Sequence, residues 1–246
     1  MISFFHTILY QPIYNLLVFL AGILPGGDVG LAIIGVTVLI KVLIMPLSLS
    51  AVKTQRAMKA IEPQVAEIKE KYKDDKEKQA KEMFALYKNY NIKPFASFLT
   101  LLIQLPVIIC LYLVFRSEPL YTVDTSLLYS FVHIPTVLSP LFLGFIEIAG
   151  HSLILAVLAA AAQFAQAHFS IPLPAKSTSK TPTMQEDIGR AMALQARFVL
   201  PLMIGAIAYT SGALALYFIT SNLVMLVQEL IVRRMKHSEV VSAPLF

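Results

Sequence analysis

Gly30–Val52 reads GLAIIGVTVLIKVLIMPLSLSAV, an apolar run whose single charged residue is Lys41, and its reading decides the fold. A helix of about 20 predominantly apolar residues covers the ~30 Å hydrocarbon layer of a bilayer. This stretch therefore predicts a membrane span. Working outward, Pro94–Phe115 (PFASFLTLLIQLPVIICLYLVF) and Ser152–Ile171 (SLILAVLAAAAQFAQAHFSI) each suit one more. Ala196–Val232 is apolar for too long to be one span and breaks at Thr210-Ser211-Gly212, which predicts two spans joined by a tight turn. The expected fold is an all-α membrane protein, a five-span helical bundle.

Composition agrees. Hydrophobic residues make up 57% of the 246 and charged residues 14%, with a mean hydropathy of +0.70. Soluble domains carry about 25% charged residues to keep their surfaces wet. Cys110 is the only cysteine and lies in an apolar run, which excludes intrachain disulfides and cysteine-based metal clusters and predicts a buried structural thiol. Residues 1–24 are apolar, but no Lys or Arg precedes them and no small-x-small site closes them, so no cleavable signal peptide is expected.

Two further apolar segments are expected not to span. Residues 4–24 carry a polar stripe of Gln11, Pro12 and Asn15, which predicts an amphipathic helix lying in the interface. Leu127–Ile148, interrupted by Pro135 and Pro140 with Glu147 near its end, is expected to be an external re-entrant or interfacial segment. The charges support this. Of 20 Lys and Arg, eleven lie between Lys53 and Lys93, four in 172–197 (Lys176, Lys180, Arg190, Arg197), and three are Arg233, Arg234 and Lys236. With five spans these eighteen fall on one side, which the positive-inside rule makes the cytoplasm. The N-terminus is then outside, the C-terminus inside, and the expected location is a bacterial plasma membrane. The sequence pI of 9.2 is thus a topology signal that needs no nucleic acid to explain it.

Residues 53–93 differ in kind, with eleven basic and seven acidic residues. Met58, Ile61, Val65, Ile68 and Tyr72 recur at helical spacing, as do Ala80, Met83, Phe84, Tyr87 and Tyr90. Lys73-Asp74-Asp75 reads as a turn, with Asp75 placed to cap the second helix. The prediction is an antiparallel hairpin of roughly 25–30 Å at 1.5 Å rise per residue. It is either a solvated helical loop or a cytoplasmic docking arm, with Arg56, Lys59, Lys69 and Lys73 as its basic docking residues.

Within the spans, Lys41 stands out. It lies about eleven residues into its span, at a depth where an ionisable group costs about 2.5–3.5 kcal/mol. It points to a water-filled pocket, with snorkelling to the interface as the alternative. Thr37, Gln104, Gln163, Gln166, Ser221 and Asn222 place further polar groups in four of the five spans. Each alone is more often a helix–helix hydrogen bond, but together with Lys41 they are what a hydrophilic groove requires. No catalytic constellation accompanies them. The five histidines are scattered, there is no HExxH, Walker, GxSxG or GxGxxG motif, and the spans contain no Asp. Neither an enzyme nor a metal or other cofactor is expected.

Several long motifs, in order, resemble the YidC/Oxa/Alb insertases. GLAIIGVTVLIKVLIMPLSLSAVKTQRAMKAIEPQVAEIKEKYKDD (30–75) looks like that family's first core span and hairpin. MFALYKNYNIKPFASFLTLLIQLPVIICLY (83–112) is similar to its second core span, and ALALYFITSNLVMLVQELIVRR (213–234) to its last. The resemblance runs from about Tyr10 to Arg234. It implies a membrane protein insertase and chaperone, with five core spans around a hydrophilic groove open to cytoplasm and lipid but closed outside. It implies an external interfacial helix at 1–27, a core at 28–234 with its hairpin at 53–93, an external loop at 117–151, a cytoplasmic loop at 172–195, and a tail at 235–246. Nascent membrane proteins and the lipid bilayer are the implied partners, with a Sec translocon and, through a short tail, a weakly held ribosome. Lys41 takes the position of a positive residue that attracts acidic groups on the client, where most bacterial members carry arginine. The chain also departs from the family in lacking a large external domain and lipid anchor, and in reading TSGALALY where a proline is common. The competing function is a small polytopic transporter or channel using Lys41, for which no inverted repeat is evident.

Overall fold

Prolines mark several of the helix starts in this chain. A computed structural model describes residues 6–92, 96–117, 123–170 and 190–234, with the side chains of 55, 56, 59, 96–101, 103, 115–117 and 232–234 outside that description. The expected tail at 235–246, most of the loop at 172–195, and the side chains of Arg56 and Lys59 therefore lie outside the described residues.

A π-helical turn at His6–Tyr10 leads without a break into α1 (Gln11–Ile23), which carries Pro12 beside the junction. Leu24 is extended, as a residue before proline tends to be, and ends the helix. α2 (Val29–Leu43) is capped by Asp28, whose Oδ1 accepts the Leu31 N–H at 3.0 Å. α3 (Met45–Ala60) follows after a break at Ile44. The expected continuous helix over 30–52 is thus two helices. Pro46 explains the break: it offers no N–H, and its ring clashes with the carbonyl four residues back. α4 (Glu62–Lys71), α5 (Lys76–Asn89) and α6 (Ala96–Ser117) come next. After a short turn at Thr125–Leu127, β1 (Leu141–Phe142) and β2 (Ile146–Glu147) pair antiparallel, Leu141 opposite Glu147 and Phe142 opposite Ile146. α7 (Leu153–Ser170) is followed by α8 (Leu200–Tyr209), the last part of a helix running continuously from Arg190 through a π-helical turn at Gln195–Val199. The cytoplasmic loop expected to reach residue 195 therefore ends earlier, because the helical hydrogen bonding extends past the apolar run that marks it in sequence. α9 (Gly212–Arg234) closes the described chain.

Among the described residues, four helices are long and apolar enough to cross a membrane, at His6–Ile23, Leu153–Ser170, Arg190–Tyr209 and Gly212–Ile231, and the broken α2/α3 pair makes up to five. α6, with 22 residues, also has the length. No helix occupies residues 128–152, so the segment at 127–148 contributes no sixth helical span.

The chain divides into two compact units, Met1–Leu43 with Leu105–Val227, and Ile44–Gln104 with Gln228–Phe246. The first unit has one apolar core. Tyr14, Leu17 and Ala21 of α1, Ile33 and Val36 of α2, Cys110 and Leu111 of α6, Ala156 and Ala159 of α7, and Leu214 and Tyr217 of α9 are buried in it. Small residues let α7 and α8 approach: a Cβ on Gly205 would lie 3.1 Å from that of Ala160. Outward, Leu153, Ile154, Val157 and Leu158 of α7 and Leu202 and Met203 of α8 stand exposed, as side chains do whose solvent is lipid.

The polar stripe on α1 faces the chain's own loop. Asn15 Nδ2 donates to the Leu127 carbonyl at 2.8 Å, its Oδ1 accepts the Tyr129 N–H at 2.7 Å, and Gln11 Nε2 donates to Leu127 O at 3.1 Å.

The second unit holds the hairpin. Gln79 Nε2 donates to Lys69 O at 3.0 Å and Gln64 Nε2 to the Tyr90 hydroxyl at 2.9 Å, an antiparallel pairing of α4 and α5. Asp75 Oδ1 accepts the Lys78 N–H at 2.9 Å, the expected cap. Lys71 and Lys78 each hold Nζ 5.5 Å from the Tyr72 ring centre. The second apolar stripe differs from expectation. Met83, Tyr87 and Tyr90 are half-buried, but Ala80 and Phe84 are exposed. The half-buried register is 79, 82, 83, 86, 87 and 90, and Phe84, one step beyond Met83, falls on its flank.

Candidate functional site

Three helices of the first unit start from one short piece of backbone. Val29 N donates to Ser139 O at 3.1 Å, and Ser139 N returns to Gly27 O at 2.8 Å. Gly212 N donates to Gly150 O at 3.0 Å and Ala213 N to Ile148 O at 3.1 Å. Residue 212 must be glycine for this approach, since a Cβ there would lie 2.7 Å from Ile148 Cα. α7 begins immediately after this segment, with Ser152 Oγ accepting the Leu155 N–H at 3.4 Å. The far end of α8 joins the same layer, because His151 Nδ1 donates to the Tyr209 carbonyl at 3.0 Å.

With the starts level, depth can be read by counting residues along each helix. At 1.5 Å per residue, Thr37 lies about 12 Å and Lys41 about 18 Å from the start of α2. On α7 the corresponding distances are about 15 Å for Gln163 and about 20 Å for Gln166. On α9 they are about 14 Å for Ser221 and about 15 Å for Asn222. All six are buried, none more than 9% exposed. In each helix the residues before them belong to the apolar core, through Val36, Ala159 and Phe218. Three helices therefore change from apolar to polar burial about 12–20 Å from their starts, roughly half of the ~30 Å that a hydrocarbon layer measures.

Some of these groups have settled bonds. Thr37 Oγ1 donates to Ile33 O at 2.7 Å, and Gln166 Nε2 donates to Ser170 Oγ at 3.0 Å. The Asn222 Nδ2 is buried with no hydrogen-bond acceptor among the described residues. A buried donor in that condition costs about 1–3 kcal/mol until something accepts from it. Gln104, the seventh residue expected to line a groove, is half-buried and belongs to the second unit. On the hairpin, Lys69 and Lys73 are exposed to solvent.

One residue of the layer escapes the sequence reading. Arg197 counts there among the cytoplasmic loop cations, yet it sits in the π-helical turn with only 8% of its surface exposed. Counting back from Tyr209 places it about 18 Å from the common end, the depth of Lys41. Its Nη2 donates to His168 O at 3.2 Å, which sets a cation against the last turn of α7, where exposed carbonyls carry negative charge. The available signal was the helical continuity back to Arg190, which hydropathy alone does not register.

The described geometry fits what sequence comparison finds. The family model described as the 60Kd inner membrane protein matches residues 20–239. The chain belongs to this family. The membrane protein insertase YidC of Clostridium tetani is 30% identical over 216 residues, covering 87% of this chain and 86% of that protein. The membrane protein insertase MisCB of Bacillus subtilis is 31% identical over 255 residues, covering 99% of this chain and 85% of that protein. YidC of Cellvibrio japonicus is 41% identical over 108 residues, but these are 44% of this chain and 19% of that longer protein. The resemblance to the YidC/Oxa/Alb insertases read from the motifs is borne out, and with its apolar helices the chain is a multi-pass bacterial membrane protein.

Proposed function

We propose that this protein is a membrane protein insertase that offers the polar end of a client a hydrated path partway through the bilayer. One observation carries the reading: Thr37, Lys41, Gln163, Gln166, Ser221 and Asn222 are buried at one depth, about 12–20 Å along helices that start together. Polar groups brought to that depth shorten the distance over which a client's own polar groups must be dehydrated, the costly part of crossing hydrocarbon. The backbone layer at 139–152, tied to the starts of α2, α7 and α9, is the closed end and faces outside. The N-terminus is then outside and the C-terminus in the cytoplasm, as the loop charges favour. The Lys41 ammonium attracts acidic groups of the entering segment, and amide groups such as Asn222 Nδ2 hydrogen-bond it. The client's apolar segment then partitions into lipid beside the spans. Partition supplies the driving force, so the cycle is non-enzymatic and needs no nucleotide, metal or other cofactor.

The hairpin of α4 and α5 receives the client on the cytoplasmic side, with Arg56, Lys59, Lys69 and Lys73 as its basic surface. A Sec translocon and a ribosome are further partners, the ribosome held weakly, and no nucleic acid is read directly. The test is complementation in a bacterium depleted of its own insertase, scoring insertion of a short single-span client by protease protection. The wild type and Lys41→Arg are expected to insert it, and Lys41→Ala to insert it several-fold less well at equal expression. A folded wild type that inserts no client would favour a transporter using Lys41 instead.

A further inference from the structure

We propose that the β1–β2 hairpin is a lipid anchor, with Leu143 and Phe145 seated in the interfacial layer of the leaflet at which α2, α7 and α9 begin. This inference concerns how the molecule is held in the bilayer and does not draw on the insertase reading.

Residues 125–146 contain no Asp, Glu, Lys or Arg, although the segment has no helix beyond the single turn at Thr125–Leu127 and several of its apolar side chains stand exposed. Leu143 is 53% and Phe145 72% exposed, and Phe131 and Val137 nearby are exposed to a similar degree. An uncharged segment that turns its largest apolar side chains outward is unsuited to bulk water. It is equally unsuited to the hydrocarbon core, because an irregular backbone there leaves polar groups that nothing satisfies. The boundary between the two suits both, with side chains toward the acyl chains and backbone toward water.

Position supports the same occupant. The hairpin is fixed to the first turn of α2: Asp28 Oδ2 accepts the Leu143 N–H at 2.7 Å, and a Cβ on Gly30 would lie 2.7 Å from the Phe142 ring. Its tip is therefore level with the helix starts. Leu153 and Ile154, in the first turn of α7, are exposed at the start of a helix long and apolar enough to cross a membrane. Glu147, exposed and paired with Leu141 at the base of the hairpin, lies away from the tip and stays among headgroups.

The turn itself adds a third observation. Leu143 has φ +54° and Gly144 φ +82°, so both central residues are left-handed, a turn in which Asn-Gly is favoured. A leucine is disfavoured at the first of these positions, and the Asp28 bond holds its backbone there. The chain thus spends conformational freedom to present an apolar side chain at the tip.

The chain contains no tryptophan, so Phe145→Trp in the otherwise intact protein gives a single tryptophan, excited selectively over the tyrosines at the red edge of the absorption band. The protein would be reconstituted in phosphatidylethanolamine–phosphatidylglycerol vesicles carrying lipid brominated either shallow or at the end of the acyl chain. Lys73→Trp, in the polar turn between α4 and α5, serves as the water-exposed comparator, and Leu143→Trp as a second reporter should Phe145→Trp fold poorly. The expected result is blue-shifted emission, quenching several-fold stronger by shallow than by deep bromolipid, and iodide quenching several-fold weaker than for the comparator. Ready quenching by iodide without a bromolipid effect would overturn the proposal. So would emission shielded from both, which would mean that a second copy of the chain covers the tip. Client insertion is not read, so failure here leaves the insertase reading untouched.

Discussion

The Asp28 carboxylate joins the backbone beside it to a segment 115 residues further on, its Oδ1 accepting the Leu31 N–H at 3.0 Å and its Oδ2 the Leu143 N–H at 2.7 Å. It caps α2 and pins the hairpin with the same side chain, while buried itself. Removing it strands two donors together. Asp28→Ala is expected to destabilise the protein by about 1–3 kcal/mol, a lost cap plus an orphaned amide. Limited proteolysis should cut near residue 143 faster than in wild type, while Asp28→Asn, which keeps an acceptor for one of the two N–H groups, falls between.

Asn15 tests how the polar stripe on α1 is used. A stripe turned toward lipid headgroups would tolerate leucine and bind the bilayer more firmly with it. A stripe holding Leu127 O and Tyr129 N would not. Asn15→Leu is expected to cost about 1–3 kcal/mol and to raise hydrogen exchange at the Tyr129 amide.

These two residues also show what the sequence could disclose. The span helices were legible because a bilayer demands length and apolarity together, and few other settings do. The break before Pro46 was signalled by that proline, yet the surrounding apolar run outweighed it. The stripe of Gln11 and Asn15 was visible as polarity, but a period of 3.6 residues does not distinguish water from a loop 112 residues away. Arg197 was lost for a related reason. Hydropathy draws the span edge beside it, whereas the backbone carries the helix back to Arg190. Lys41 and the polar residues were identifiable by type. Their common depth was not, because it depends on Ile148, Gly150 and Ser139 bringing the helix starts level.

Arg197 gives the third prediction. Arg197→Ala removes the donor to His168 O and leaves the last turn of α7 without its cation. A stability loss of about 1–3 kcal/mol is expected for a buried, charge-assisted bond. Arg197→Lys should restore the charge without the planar guanidinium. If Arg197 contributes field as well as structure, Lys at this position recovers client insertion more fully than it recovers thermal stability.

Asp124 supplies a pH signature. Its side chain accepts from Ser126 Oγ at 2.6 Å and from Ser126 N at 2.9 Å, and these bonds hold its carboxyl below the usual carboxylate range. A pKa depressed by folding stabilises above the unfolded value, about 3.9, and that contribution is lost as pH falls through the lower folded value. Exchange at the Ser126 amide, corrected for its intrinsic pH dependence, should therefore be flat above about pH 5 and lose protection only in stronger acid. In Asp124→Asn the acid-dependent part should vanish.

The sharpest test of the polar layer moves its charge. Thr37 and Lys41 lie four residues apart on one face of α2, both buried, so Thr37→Lys combined with Lys41→Ala shifts the cation by about 6 Å without changing its face. If the layer acts through the field it presents to an entering acidic segment, the double variant should recover a substantial part of the insertion that Lys41→Ala loses. Recovery should be greater for clients whose acidic residues lie farther along the translocated segment, since the charge now sits nearer the closed end. If instead Lys41 works by snorkelling its ammonium to the near interface, a lysine one turn deeper cannot reach it, and the double variant should fold less well and insert no better than Lys41→Ala. Protease protection of two clients differing only in the position of one Asp, measured at equal expression of each variant, separates these outcomes.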